Sequence, residues 1–362
     1  MVRQTLTHSR SFVEFLAINK QQSFTLGIDV HKNSYAVALR SENGSVWTCS
    51  GPANASWILQ MIQRESLRVH TVVYEAGPTG FSTARAFHDA GIQCVVVAPA
   101  QILRPATLGA KTDRLDCQRL AELASHGMVH PIAIPTPDEE SKRDLVRRRH
   151  DLVKSIRNAK LRIRSRLLFW GIEEPRGLEN WSGQAIRYLR SMPIMPAYRK
   201  TMDSLLRELA FLKNEIKSVE KEITQCDTPK EKEIIGNLQT VPGVGPVVSA
   251  TFYREIFRPE RFPRSEEIGR YLGLAPVPRQ SGESKGRARR IPSGQRILRG
   301  ILVQAAWRWR SIDAGAAQYY SRIMSRCGLA QKAIVALSRK LAIILWRICI
   351  ENRPYRPACS AG

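Results

Sequence analysis

Along residues 24–130 the apolar positions arrive in short runs separated by turn residues, the pattern of alternating strands and helices. Phe24–Val30, Tyr35–Arg40 and Ser45–Cys49 read as three consecutive strands, the last two joined by the tight-turn sequence Glu42-Asn43-Gly44. The spacing predicts an amphipathic helix over Ala55–Glu65, then a strand over Thr71–Glu75. Gly77-Pro78-Thr79-Gly80 breaks the chain before a helix at Ser82–Ala90, which Gly91 stops. A strand at Cys94–Ala98, a loop, and a helix at Asp113–His126 closed by Gly127 complete the series.

Three strands, helix, strand, helix, strand, helix is the element order of an RNase H-like α/β fold. A dinucleotide-binding fold is excluded, because no GxGxxG follows the first strand. From Asp138 to about Gln225 the texture changes to long, densely charged helices. Ser141–Leu168 carries Arg147, Arg148, Arg149, Lys154, Arg157 and Lys160 among its cations, with apolar residues at only approximately helical spacing. Tyr198–Gln225 carries Leu205, Leu206, Leu209, Leu212, Ile216, Val219 and Ile223, whose spacings approach a heptad seam. Together they predict an antiparallel helical arm, interrupted around Gly171–Pro196. Ala330–Ile350 is the most apolar late stretch, but Lys332, Arg339, Lys340 and Arg347 interrupt it; a buried amphipathic helix is expected, not a membrane span.

Charge narrows the partner. The 362 residues are too many for one ordinary core, and 43% hydrophobic with 24% charged residues is the composition of a folded protein. A formal net charge of +24 favours a polyanion, nucleic acid above all; a basic protein of another kind, such as a membrane-surface binder, is the alternative. The basic run of the arm is read as a nucleic-acid-facing surface, since few acids balance it; a solvated helix face is the alternative. The seven cysteines, at positions 49, 94, 117, 226, 327, 349 and 359, are scattered without a CxxC pair, which argues against disulfides or zinc and for reduced thiols in the cytoplasm. The polar N-terminus has no signal-peptide core.

Four acids suggest chemistry. Asp29 and Glu75 end two predicted strands, and Asp113 and Asp116 form an i, i+3 pair sharing a helix face. Carboxylates forced together repel unless cations sit between them, and hard oxygen donors suit Mg²⁺ or Mn²⁺. Each acid alone has a blander reading: a turn former, or for Asp113 a helix cap. His31, two residues beyond Asp29, could be a catalytic base; the better reading is that it points away from the site or caps the strand end, and it is left out of the set. Further on, Leu238–Ala250 (LQTVPGVGPVVSA) matches a helix-hairpin-helix turn in which Gly243 and Gly245 would let the backbone approach a phosphate; a turn that only packs is the alternative. Val277–Arg290 sets Ser281 and Gly282 among Lys285, Arg287, Arg289 and Arg290. A serine nucleophile attacking a phosphodiester needs such cations, yet from local sequence alone a basic loop that contacts backbone is the better reading.

Five motifs in order resemble one family, the DEDD-type transposases of bacterial insertion sequences, of the insertion-sequence one-ten kind. They are Gly27-Ile-Asp-Val-His-Lys32, Tyr74-Glu-Ala-Gly-Pro-Thr-Gly80, Lys111-Thr-Asp-Arg-Leu-Asp-Cys-Gln-Arg-Leu-Ala121, Val241-Pro-Gly-Val-Gly-Pro246, and Gly273-Leu-Ala-Pro276 with the downstream Ser281-Gly282. The similarity spans roughly Ser23 to Arg347. It implies an α/β plus all-α chain: an N-terminal extension (1–22), an RNase H-like (RuvC-like) DEDD catalytic domain (23–135), a helical coiled-coil arm (136–232), a helical C-terminal transposase domain with the helix-hairpin-helix turn (233–350), and a tail (351–362). It implies metal ligation by Asp29, Glu75, Asp113 and Asp116, and a nucleophilic Ser281, with Ser284 and Ser293 as nearby rivals because the family's usual Ser-Ser-Gly stands here as Gln280-Ser281-Gly282. A recombinase acting on donor and target DNA is implied, guided by a structured bridge RNA. In such a recombinase, dimers assemble to a tetramer and the carboxylates of one protomer meet the serine of another. The expected setting is the bacterial cytoplasm, associated with the nucleoid and away from membranes. A hydrolytic junction resolvase and a non-catalytic nucleic-acid-binding protein are the rivals.

Overall fold

The computed structural model describes residues 10–99, 102, 113–275 and 294–357, in two compact units, Met1–Pro135 and Thr136–Gly362. The first unit opens with α1 (Arg10–Asn19), inside the segment expected as an extension. Its Phe12 is 2% exposed and stacks on Trp47 with ring centroids 4.0 Å apart, so this helix belongs to the core. The predicted series follows: β1 (Ser23–Val30), β2 (Ser34–Ser41), β3 (Val46–Pro52), α2 (Ser56–Arg64), β4 (Arg68–Glu75), α3 (Ser82–Asp89), β5 (Cys94–Val97) and α4 (Asp113–Ser125).

The strands form one mixed sheet in the order β3-β2-β1-β4-β5, with β1–β2 and β2–β3 antiparallel and β1–β4 and β4–β5 parallel. Strand side chains alternate between faces, so each strand's sequence divides in two. Leu26, Ile28, Val37, Leu39, Val72, Tyr74 and Val96 share one core with Trp57, Ile58 and Met61 of α2 and Ala84 and Phe87 of α3. The opposite face is made of small residues: Ala36 and Ala38 pack with Cys117 and Ala121 of α4, while Val73 and Val97 pack with Leu120. Gly27 allows this closeness, since a Cβ built there would lie 2.0 Å from the Cys117 carbonyl oxygen and 2.6 Å from the Ala121 nitrogen.

The second unit is helical among its described residues. Helix α5 (Pro137–Phe169) starts at a capping box in which the Thr136 hydroxyl accepts from the Glu139 N–H and the Glu139 carboxylate accepts from the Thr136 N–H. It runs antiparallel to α7 (Pro196–Gln225), burying Ala159, Ile163 and Leu167 against Met202, Leu206 and Leu209, with α6 (Gly183–Ser191) in the expected interruption. Next come α8 (Pro229–Gln239), α9 (Pro246–Ile256), α10 (Ser265–Tyr271), α11 (Arg296–Ile312), α12 (Ala314–Cys327) and α13 (Ala330–Glu351). Their apolar faces share one core centred on Phe252, Leu302, Trp309, Leu337 and Leu341. Helix α13 is the amphipathic helix expected at Ala330–Ile350, and no described helix is long and apolar enough to cross a membrane.

Candidate functional site

Asp29 and Glu75 come together through strand register. Ile28 of β1 pairs with Tyr74 of β4 in parallel, so the next residue on each strand is a carboxylate at the same height. Both belong to the face that α4 covers, because they alternate with the buried Ile28 and Tyr74. Asp116 sits on α4 one residue before Cys117, whose thiol is pushed up to about 11, first by burial and then by the Asp29 carboxylate, with a smaller push from Asp116. Asp29, Glu75 and Asp116 are each partly exposed.

The structure therefore sets two strand-end carboxylates side by side and seats the helix bearing Asp116 against the same strand. It does not close three described side chains into a cage: among the described residues no group of three or more His, Cys, Asp or Glu side chains is arranged to hold a metal ion. The Asp113 side chain lies outside the described residues, as do Ser281, Lys285, Arg287, Arg289, Arg290 and the rival serines Ser284 and Ser293.

His31 departs from its expected orientation. Its Nε2 lies 3.1 Å from Asp29 Oδ2, so the ring faces the carboxylate. The chain turns as it leaves β1, where the His31 N–H donates to the Ser34 carbonyl at 3.1 Å, and this turn brings the ring back. The two-residue separation from Asp29 was the available signal, but strand periodicity does not extend past the strand's last residue.

The arm's cations divide. Arg147 donates from Nε and Nη2 to Glu255 of α9 at 2.7 and 2.9 Å, and Arg143 adds a bond to the same carboxylate at 3.2 Å. The Glu255 side chain is fully buried, so these arginines neutralise an interior charge. Arg149 pairs with Glu220 at 2.7 Å and Lys154 with Asp151 at 3.1 Å, while Lys160 lies 5.3 Å from the Trp181 ring centroid. Arg148 and Arg157 stand exposed. The expectation that few acids balance this run counted acids along the run alone; Glu220 and Glu255 reach it from other helices.

Gly243 also finds a structural duty. Its φ of +85° is left-handed, and a Cβ there would come within 2.8 Å of the Trp309 nitrogen on α11. Helix packing thus requires the glycine whether or not a phosphate is near. Gly245 caps α9 with open space around it. A third close approach joins the borders of the serine-bearing segment: a Cβ on Gly294 would lie 2.7 Å from the Gly273 nitrogen, and the Gln295 N–H donates to the Tyr271 carbonyl. Tyr271 and Gly273 thus lie against Gly294 and Gln295.

A mixed sheet with strand-end acids beside a helix-borne acid, followed by a helical unit, defines a class that comparison identifies. Residues 26–170 match the family model for the DEDD transposase of the IS110 kind, and residues 236–321 match that of the transposase IS116/IS110/IS902 family. The protein named "Putative transposase y4qE" of Sinorhizobium fredii is 30% identical over 291 residues, covering 79% of this chain and 71% of that one. The transposase for insertion sequence element IS1111A of Coxiella burnetii is 26% identical, covering 91% of each chain. That for IS1328 of Yersinia enterocolitica is 24% identical, covering 90% of this chain and 97% of that one. The chain belongs to the IS110/IS116/IS902 family of insertion-sequence transposases.

Proposed function

We propose that this transposase cuts and rejoins DNA through divalent cations held by Asp29, Glu75, Asp113 and Asp116 and through a covalent link to Ser281, on an RNase H-like N-terminal domain. The observation that carries the reading is the register that makes Asp29 and Glu75 neighbours on the face where α4 brings Asp116. The donors fit a hard cation such as Mg²⁺ or Mn²⁺: all are carboxylate oxygens, and an ion between them would offset their mutual repulsion. When bound, the cation supplies charge neutralisation at the non-bridging phosphate oxygens.

The remaining chemistry falls to the chain. Ser281 Oγ forms a bond to phosphorus as the bond from phosphorus to the leaving sugar oxygen breaks, and the serine proton ends on that sugar hydroxyl. The phosphodiester energy is stored in the phosphoserine, so attack by a second sugar hydroxyl rejoins DNA and regenerates the serine. Arg287, Arg289 and Arg290 stabilise charge on the phosphorane, and Lys285 holds the flanking backbone. Arg148 and Arg157 supply sequence-independent backbone contacts, and base pairing with a structured guide RNA supplies the sequence choice, within dimers that assemble to a tetramer.

Trapping the protein on DNA under denaturing conditions tests this. The wild-type chain forms a metal-dependent adduct, Asp29→Ala abolishes it, and Ser281→Ala abolishes it while leaving DNA binding intact. An adduct that persists in Ser281→Ala moves the nucleophile to Ser284 or Ser293. Metal-dependent cleavage with no adduct in the wild type would replace the recombinase with a hydrolytic nuclease.

A further inference from the structure

Helices α11, α12 and α13 carry a cationic excess with almost no acid to offset it. Between residues 294 and 350 there are ten Lys and Arg residues and a single acid, Asp313. That acid is already engaged: it caps α12 by accepting from the Ala316 N–H at 2.8 Å, and it accepts from the Tyr355 hydroxyl at 3.2 Å. Arg308, Arg310, Arg322, Arg326, Lys332 and Lys340 are exposed and pair with no carboxylate among the described residues. On the arm, by contrast, Arg143, Arg147, Arg149 and Arg162 all meet glutamates.

Aromatic rings are interleaved with these cations along both flanks of α12. On the α11 side the Arg310 guanidinium lies 4.1 Å from the Tyr320 centroid and 5.5 Å from that of Trp307. On the α13 side Tyr319 is approached by Lys340 at 4.6 Å and Arg322 at 5.3 Å. Trp307 is 42% exposed, so part of its indole is open to another planar ring. Unpaired cations track a phosphate backbone, and an exposed aromatic ring stacks on a base that is not already stacked in a duplex. A duplex would satisfy the charges and leave Trp307 unused.

We propose that the α11–α13 surface binds single-stranded DNA, with Arg308, Arg322 and Lys340 on successive phosphates and Trp307 stacking on a base. This rests on the reading of the chain as a DNA-cutting transposase, in which a strand freed at the cut needs a holder. It names residues other than the carboxylates, Ser281 and the arm's cations.

The test is fluorescence anisotropy of the full chain with a mixed-sequence oligodeoxynucleotide of about 16 nucleotides, titrated between about 50 and 200 mM salt without divalent metal. Replacing Arg308, Arg322 and Lys340 together by Gln lowers the log–log salt slope by about 2, at roughly 0.7 per single-strand phosphate. Trp307→Ala weakens binding roughly 5- to 150-fold at every salt concentration without changing the slope, the loss of one stacked base. Thermal melting confirms that each variant is folded, and the triple charge variant, altered only at exposed positions, keeps the test open if Trp307→Ala is unstable. A wild-type slope and affinity in the triple variant overturns the proposal, and so does tighter binding of the duplex or of RNA of the same sequence. Because no metal or covalent step is involved, failure here leaves the adduct experiment standing, and failure of the adduct leaves this binding result standing.

Discussion

Replacing Gly27 by Ala adds one methyl group at the tightest helix–strand contact described. The new carbon would sit 2.0 Å from the Cys117 carbonyl oxygen and 2.6 Å from the Ala121 nitrogen, both backbone atoms of α4. No rotamer change relieves a backbone clash, so α4 must withdraw by about 1–1.5 Å to reach ordinary contact. Losing a glycine stiffens the unfolded chain, which favours folding by about 0.4–1 kcal/mol. Overpacking of about 1–3 kcal/mol opposes that gain and exceeds it, because the Ala36, Ala38 and Ala121 contacts open along with the strand. The net loss lowers the melting temperature of the N-terminal unit by up to roughly 10 °C. The functional loss is larger: Asp113 and Asp116 ride on α4, and a displacement near 1 Å costs about 100-fold in a positioned reaction. Calorimetry gives the first quantity and the rate of adduct formation the second. A Cys117→Ala second change does not rescue, since the obstruction is the carbonyl and not the thiol. A Gly27→Ala chain that melts and reacts like wild type would refute the idea that α4 is held against β1 to aim its acids.

Glu255→Gln leaves the nearly buried Arg143 and the half-exposed Arg147 facing a neutral amide and is expected to cost about 1–3 kcal/mol in denaturant unfolding, since Arg147 can rehydrate; a loss under about 0.5 kcal/mol would show that the carboxylate is not desolvated. Gly243→Ala forces a side chain into a left-handed backbone and against Trp309, lowering stability by about 1–3 kcal/mol or more, while the salt slope of DNA binding stays at the wild-type value; an unchanged melting curve with a reduced slope would restore the phosphate reading. Acid sensitivity has a defined sign. Burial acts to raise both Glu139 and Glu231, but the hydrogen bonds and charge of Arg258 together with the Thr136 hydrogen bonds, and those of Lys142 together with the Thr228 hydrogen bonds, jointly outweigh it and hold the two below their ordinary value of 4.5. Their contribution to stability is therefore complete above about pH 4.5 and is lost as pH falls through the depressed folded values. Melting temperature against pH checks this, and Arg258→Gln should flatten the acid limb; an unchanged limb would remove Glu139 from the account.

The chain's local code determined its elements and their order. Glu42-Asn43-Gly44 marks the β2–β3 turn, apolar runs mark the strands, and the acids of β1 and β4 stand at strand ends where strand geometry exposes a side chain. Positions 27, 36 and 38 were equally visible as small residues, but nothing local says that a helix almost ninety residues later uses them as its seat. The same limit applies to charge. Arg147 and Arg308 look alike in sequence, and only folding gives one a buried glutamate and leaves the other in water, because an ion pair is fixed by distance in space and the carboxylate concerned lies on another helix. His31 turning back onto Asp29 is decided in the same way, by a loop geometry that periodicity does not encode. Sequence thus set which groups are present and which elements carry them. The tertiary structure decided which charges neutralise each other within the protein and which remain for a partner.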